Sequence, residues 1–183
     1  GAFGNEAYIL QGYFNLPKIF EITLFNGQDP MTGKQLGLKT GDPTQFKSFD
    51  ELWDAYTKQV HYFLDIKVKG SNVIEGLYAR YMPVPFLSIL TNDCIARGED
   101  YNAGGARYNT SVIQGVGTGT IADCLSAVKY NVYDNQNFTM SELLEAMKAD
   151  FQGYERIYNL VRNKTPKYGN DDDYADGLMK KVF

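Results

Sequence analysis

The chain has 183 residues and a mass of 20.6 kDa, and its 44% hydrophobic and 22% charged content suits a globular domain and excludes a disordered tail. A formal charge of −4, with no Lys or Arg run longer than two, lacks the electrostatic footprint of a nucleic-acid binder. No stretch is apolar and long enough for a membrane span and no signal peptide is readable at the start, so the chain reads as soluble and cytoplasmic.

Residues 6–26 are apolar and helix-compatible, and the spacing predicts a helix from about Phe14, entered through a bend, with Gly27 where helices commonly end. Residues 28–48 hold Pro30, Gly33, Gly37, Gly41 and Pro43, and read as a long surface loop. Ser48-Phe-Asp-Glu51 has the pattern of a capping box and opens onto Leu52, Trp53, Tyr56, Val60, Phe63 and Leu64, a long helix reaching toward Tyr81. Met82-Pro-Val-Pro85 stops it. The apolar run Phe86–Leu90 fits strand or helix, and Asn92-Asp93 and Gly98 bracket a short helical turn.

After the Gly104-Gly105 break, Thr110–Gln114 favours a strand, Gly115-Val-Gly-Thr-Gly119 a tight turn, and Thr120-Ile-Ala-Asp123 the cap of a helix to about Tyr130. Thr139-Met-Ser-Glu142 is a second capping box, opening a helix to Phe151. Two more helices are expected over 154–163 and 172–181. The chain opens at Gly1 without a Met and closes on an amphipathic run without a stop signal, so it is expected to be cut from something longer.

Most candidate constellations have plain structural readings. The glycines at 115, 117 and 119 fail the dinucleotide spacing, with Thr120 where the third glycine would fall, and read as a close strand-to-helix turn. Asp171-Asp-Asp173 with Asp176 lacks the spacing of a calcium loop and reads as the solvated start of a helix. His61, the single histidine, has no nucleophile near it in sequence and reads as a packing or surface residue. Cys94 beside Asp93, and Cys124 in an apolar helix, are settings that disfavour the thiolate, so both read as small core residues. No metal site is expected. The sequons at Asn109, Asn137 and Asn163 need a secretory route that the chain does not show. Arg107-Tyr-Asn109, next to two glycines and before a strand, is the most site-like cluster.

Five blocks in order carry a family resemblance: Phe14-Asn-Leu-Pro-Lys-Ile-Phe-Glu-Ile-Thr-Leu-Phe-Asn-Gly27, Pro83-Val-Pro-Phe-Leu-Ser88 with Asn92-Asp-Cys94, Gly104-Gly-Ala-Arg-Tyr-Asn109, Gln114-Gly-Val-Gly117 and Asp123-Cys-Leu-Ser-Ala-Val-Lys129. Over nearly its whole length the chain resembles the glycyl radical enzymes, the pyruvate formate-lyase-like family. Glu6-Ala-Tyr-Ile-Leu10 with Gly12-Tyr13, Gly70-Ser-Asn-Val-Ile-Glu75, Asp100-Tyr-Asn-Ala-Gly-Gly105 and Lys164-Thr-Pro-Lys-Tyr-Gly-Asn-Asp-Asp-Asp-Tyr174 bring it nearest to the subfamily that dehydrates trans-4-hydroxy-L-proline.

The resemblance implies an α/β fold: a ten-stranded α/β barrel of two half-barrels, of which residues 1–183 form a helix-rich part of the second. It implies that the catalytic cysteine lies in a Gly-Cys-Val-Glu type motif just before Gly1-Ala-Phe-Gly4 and that the radical glycine lies well beyond Phe183, so the chain is expected to be an internal fragment, inert alone. Cys94 and Cys124 match neither motif. The full-length parent would be an anaerobic carbon–oxygen lyase, cytoplasmic and homodimeric. Its glycyl radical would be installed by an S-adenosylmethionine-dependent iron–sulfur activase, with no cofactor bound in the fragment itself. Tyr13 matches a position expected to line the pocket of a small-molecule substrate, and Asn109 and Gln114 are weaker candidates. Two alternatives stay open: another glycyl radical enzyme, such as a diol dehydratase, choline trimethylamine-lyase or pyruvate formate-lyase, and a non-catalytic scaffold that binds a partner.

Overall fold

A computed structural model describes residues 6–183, in two compact units: residues up to Phe14 with Leu64–Gly115, and Asn15–Phe63 with Val116–Phe183. The Gly1-Ala-Phe-Gly4 segment lies outside the described residues.

The first unit holds strands β1 (Glu6–Asn15) and β2 (Tyr108–Val116), hydrogen-bonded neighbours in a two-stranded sheet. It also holds the second half of helix α2 (Phe49–Tyr81), then α3 (Pro85–Leu90) and α4 (Cys94–Arg97). Finding β1 corrects the helix-compatible reading of residues 6–13. Its aromatic and β-branched residues fit a pleated ribbon as well as a helix, and pairing with β2 decides between them. The unit's own apolar core is small, Ala7, Cys94 and Ala106 with Tyr101 against them, and Val73, Ile74, Leu77, Phe86 and Ile95 are exposed.

The second unit begins where Asn15 caps α1 (Leu16–Leu24), its side chain accepting from Lys18 N at 3.1 Å. Leu16, Ile19, Phe20, Ile22 and Leu24 are buried, and Phe20 meets Tyr56 of α2 edge to face at 5.4 Å. At the start of α2 the capping box is displaced by one residue: Ser48 Oγ accepts from Glu51 N at 3.3 Å, while the Glu51 carboxylate accepts from Lys47 N at 2.8 Å. The 28–48 loop is irregular as expected apart from a short helical turn at Pro43–Gln45. It is pinned by Asp29, whose buried carboxylate accepts from Lys18 Nζ at 2.7 Å and Thr32 Oγ1 at 2.6 Å, hydrogen bonds that lower its pKa to about 2.

Helix α5 (Thr118–Val128) packs on α1 and on α8 (Asp173–Val182), and Ile121, Ala122, Leu125 and Ser126 are fully buried. It continues as a π-helical turn over Lys129–Asp134 in which the buried Asn131 donates to Ala127 O at 2.9 Å and Thr165 Oγ1 at 2.8 Å and accepts from Asn137 Nδ2 at 2.9 Å. Helix α6 (Met140–Lys148) carries the full capping box of Thr139 and Glu142, and α7 (Glu155–Asn159) runs into a second π turn, Leu160–Lys164.

The start of α5 differs from the sequence reading. Its cap is Gly117, with φ +76°, and not Thr120. A Cβ on Gly117 would sit 2.6 Å from the ring of Pro17, so the first turns of α1 and α5 meet where only glycine fits. Asp123 instead accepts from Tyr168 N at 2.9 Å. Gly117→Ala is therefore expected to cost about 1–3 kcal/mol of stability, from backbone strain together with the Pro17 clash. Denaturant melts of the variant against the parent measure it, and an unchanged midpoint contradicts the packing described.

Candidate functional site

The three residues singled out by sequence all lie on the two-stranded sheet: Tyr13 on β1, Asn109 and Gln114 on β2. One face of that sheet is set against α2. Ser111 on β2 donates a hydrogen bond to the Glu75 carboxylate, and the space over Gly12 on β1 is filled by Lys67, whose Nζ would be 2.8 Å from a Cβ there. Gly12 has φ +131°, a conformation that side-chain-bearing residues rarely adopt.

Side chains alternate along a strand. Asn109 shares parity with Ser111 and is placed on the α2 face, where its Nδ2 would lie 3.2 Å from a Cβ on Gly104. Gln114 has the opposite parity, and Tyr13 follows Gly12, so these two share the other face. Tyr13 is 65% exposed and Gln114 is exposed, but Asn109 and Ser111 are exposed as well, so alternation rather than exposure assigns the faces. Tyr13 and Gln114 are thus brought to one face, and Asn109 is separated from them by the sheet itself.

The segment feeding β2 is held by ion pairs and caps. Asp93, in the left-handed region at φ +76°, receives both Nε (2.9 Å) and Nη2 (2.8 Å) of Arg107, a two-point pair that holds its carboxyl below the usual range. Arg97 Nη1 donates to Ala106 O at 3.1 Å. The site-like character of Arg107 is therefore spent on Asp93.

Asp100 gathers Val84 N (2.8 Å), Ser88 Oγ (2.8 Å) and Asn102 N (2.9 Å), and Ser88 Oγ accepts from Tyr101 N at 2.9 Å. Partial burial pushes the Asp100 carboxyl up, but these donors outweigh it and the net shift is downward.

The remaining sequence candidates lie elsewhere. His61 is exposed, and Asp172 caps α8 by accepting from Tyr174 N at 3.0 Å. Among the described residues no group of three or more His, Cys, Asp or Glu is placed to hold a metal, and no helix is long and apolar enough to cross a membrane. The second unit contains an apolar cavity of about 480 Å³ lined by Phe20, Leu24, Cys124, Leu143, Met147 and Phe151, which none of the three candidates reaches.

Sequence reasoning missed the α2 side of the sheet. The signal was the four-residue spacing of Lys67, Ser71 and Glu75, polar side chains on one stripe of a helix that is apolar on either side of them.

With this geometry established, the chain matches the family described as pyruvate formate lyase-like over residues 1–183, and it belongs to that family, as its sequence blocks indicated. It is 58% identical over 183 residues to trans-4-hydroxy-L-proline dehydratase of Clostridioides difficile, covering 100% of this chain and 23% of that protein. The crystal structure of hydroxyproline dehydratase from Clostridioides difficile with trans-4-hydroxy-L-proline bound superposes with a TM-score of 0.96, again over 100% of this chain and 23% of that one. The B12-independent glycerol dehydratase of Clostridium butyricum, glycerol-bound, follows at 0.90 and 39% identity, covering 97% of this chain and 22% of that one. The chain therefore spans about a quarter of the length of the proteins it matches. The helix-rich α/β fold is that of glycyl radical enzymes.

That family implies a glycyl radical, and the two cysteines of this chain sit in different surroundings. Cys94 is 2% exposed among alanines, with its thiol pushed up by burial, and Cys124 lines the apolar cavity, also pushed up by burial.

Asp100→Asn would place an amide donor against the Val84 N–H. A loss of about 1–3 kcal/mol is expected, from leaving a part-buried donor unsatisfied. Thermal melts test it, and a Tm equal to the parent's contradicts the role given to this carboxylate.

Proposed function

We propose that this chain is part of a longer glycyl radical carbon–oxygen lyase that dehydrates trans-4-hydroxy-L-proline, and that the open face of the β1–β2 sheet, with Tyr13 and Gln114, contributes to its substrate pocket. The observation that carries this reading is 58% identity along all 183 residues to hydroxyproline dehydratase, with the superposition extending to a structure that holds that substrate. The diol dehydratase alternative is weaker by the same measure, at 39% identity.

In this reading residues 1–183 are a partial barrel domain, with the cysteine loop before it and the radical domain after it supplied by the longer protein. That protein is a cytoplasmic homodimer served by an S-adenosylmethionine-dependent activase. The glycyl radical would supply hydrogen abstraction from the substrate through the cysteine of the preceding loop, as a thiyl.

What this chain adds is recognition. A phenol is flat and apolar with one polar tip, so Tyr13 can pack on the pyrrolidine ring while its hydroxyl donates a hydrogen bond to the substrate. The Gln114 amide can both donate and accept on the same face. A hydroxyl leaves as water only when protonated, so the site needs an acid. This reading assigns that acid to the longer protein. Asn109, on the α2 face, is left to pack over the Gly104 turn.

The test is anaerobic assay of the activated full-length protein with trans-4-hydroxy-L-proline, glycerol and propane-1,2-diol. Hydroxyproline should be consumed with formation of a pyrroline carboxylate and the diols left intact; diol turnover with hydroxyproline untouched refutes the assignment. Tyr13→Phe should lower kcat/KM by about 2- to 10-fold, the worth of one hydrogen bond, with the glycyl radical signal unchanged. Equal turnover would remove Tyr13 from the pocket.

A further inference from the structure

The side of the sheet opposite Tyr13 is built from polar groups where an ordinary sheet-packing helix would present Leu or Val. Lys67, Ser71 and Glu75 recur every four residues on α2, so they form one stripe. Glu75 takes the Ser111 hydroxyl of β2. Ser71 is 3% exposed, and its hydroxyl has no hydrogen-bond partner. Lys67 is half-buried, with its ammonium in the volume that Gly12 leaves empty.

A lysine held in this way gives up side-chain entropy that a shorter apolar residue would not. Gly12 is the residue immediately before Tyr13, and its φ of +131° is open to glycine alone. The ammonium and the glycine are therefore complementary: the missing side chain makes room for Nζ, which lies against the residue just before Tyr13.

We propose that Lys67 is a positioning residue for Tyr13: seated against Gly12 from the α2 side, it sets the backbone at the end of β1 and thereby the placement of the Tyr13 phenol on the opposite face. This inference rests on the reading of Tyr13 as a substrate residue. It predicts coupling between two side chains that lie on opposite faces of one strand.

The test is a double-mutant cycle in the activated full-length protein. Lys67→Met, which keeps the length of the stem and removes the ammonium, should lower kcat/KM for trans-4-hydroxy-L-proline about tenfold in the parent, but less than about twofold in a Tyr13→Ala background that removes the ring it positions, with the glycyl radical signal unchanged in both. Lys67→Arg, which keeps the charge but enlarges the head, should rescue only in part. An equal loss in both backgrounds would make Lys67 a merely structural residue and overturn the proposal, and no loss in either would do the same.

A second readout does not depend on which substrate is correct. With 3-fluorotyrosine at position 13, the fluorine resonance should shift and broaden in Lys67→Met. An unchanged resonance overturns the positioning role. A shifted resonance in a protein that ignores hydroxyproline would support it while refuting the substrate assignment.

Discussion

The candidate site depends on one constraint: two paired strands have two faces, and α2 occupies one of them. Ser111 bonded to Glu75 and Lys67 seated over Gly12 fix which face that is. Alternation then leaves no freedom. Asn109 must turn toward α2, and Tyr13 and Gln114 must turn away from it. A one-residue slip of either strand would exchange these assignments, so the polar stripe on α2 acts as a register lock as well as a packing surface.

The strands hand over to helices through devices that allow little play. β1 ends at Asn15, which caps α1, and β2 ends at Val116, one residue before the glycine that caps α5. In the second unit those two helices touch at their first turns, Pro17 against Gly117, so the points at which both strands end are tied together. In the second unit α5 is fully buried along Ile121, Ala122 and Leu125. The beginning of β2 is held separately, by the Arg107 and Asp93 pair and by the donors gathered on Asp100. Within the first unit the segment leading into β2 is thus held by its own ion pair and caps.

Features written in local chemistry were legible in the sequence. The capping residues at Ser48 and Thr139, the punctuated 28–48 loop, the stop at Pro83 and Pro85, and the β-favouring run before Gly115 all appear close to where they were expected, because each is decided by groups within a few residues of one another. The ordered blocks shared with glycyl radical enzymes gave the family, which no periodicity alone could supply.

Features decided at long range were not legible. β1 reads as helix or strand until β2 is beside it, the Gly117 cap of α5 meets Pro17 of α1 across a long stretch of sequence, and the π turn at Lys129–Asp134 is tied to Thr165. The separation of Asn109 from Gln114 was implicit in their odd spacing, but the face each one takes required the position of α2.

The central claim is that the open face of this sheet is a wall of the substrate pocket. It is tested most directly by a crystal structure of the full-length protein with trans-4-hydroxy-L-proline bound. The account predicts the ligand against the Tyr13 ring, with Gln114 on the same side and Asn109 and Lys67 behind the sheet. A ligand seated on the α2 face, or away from Tyr13 altogether, would contradict it.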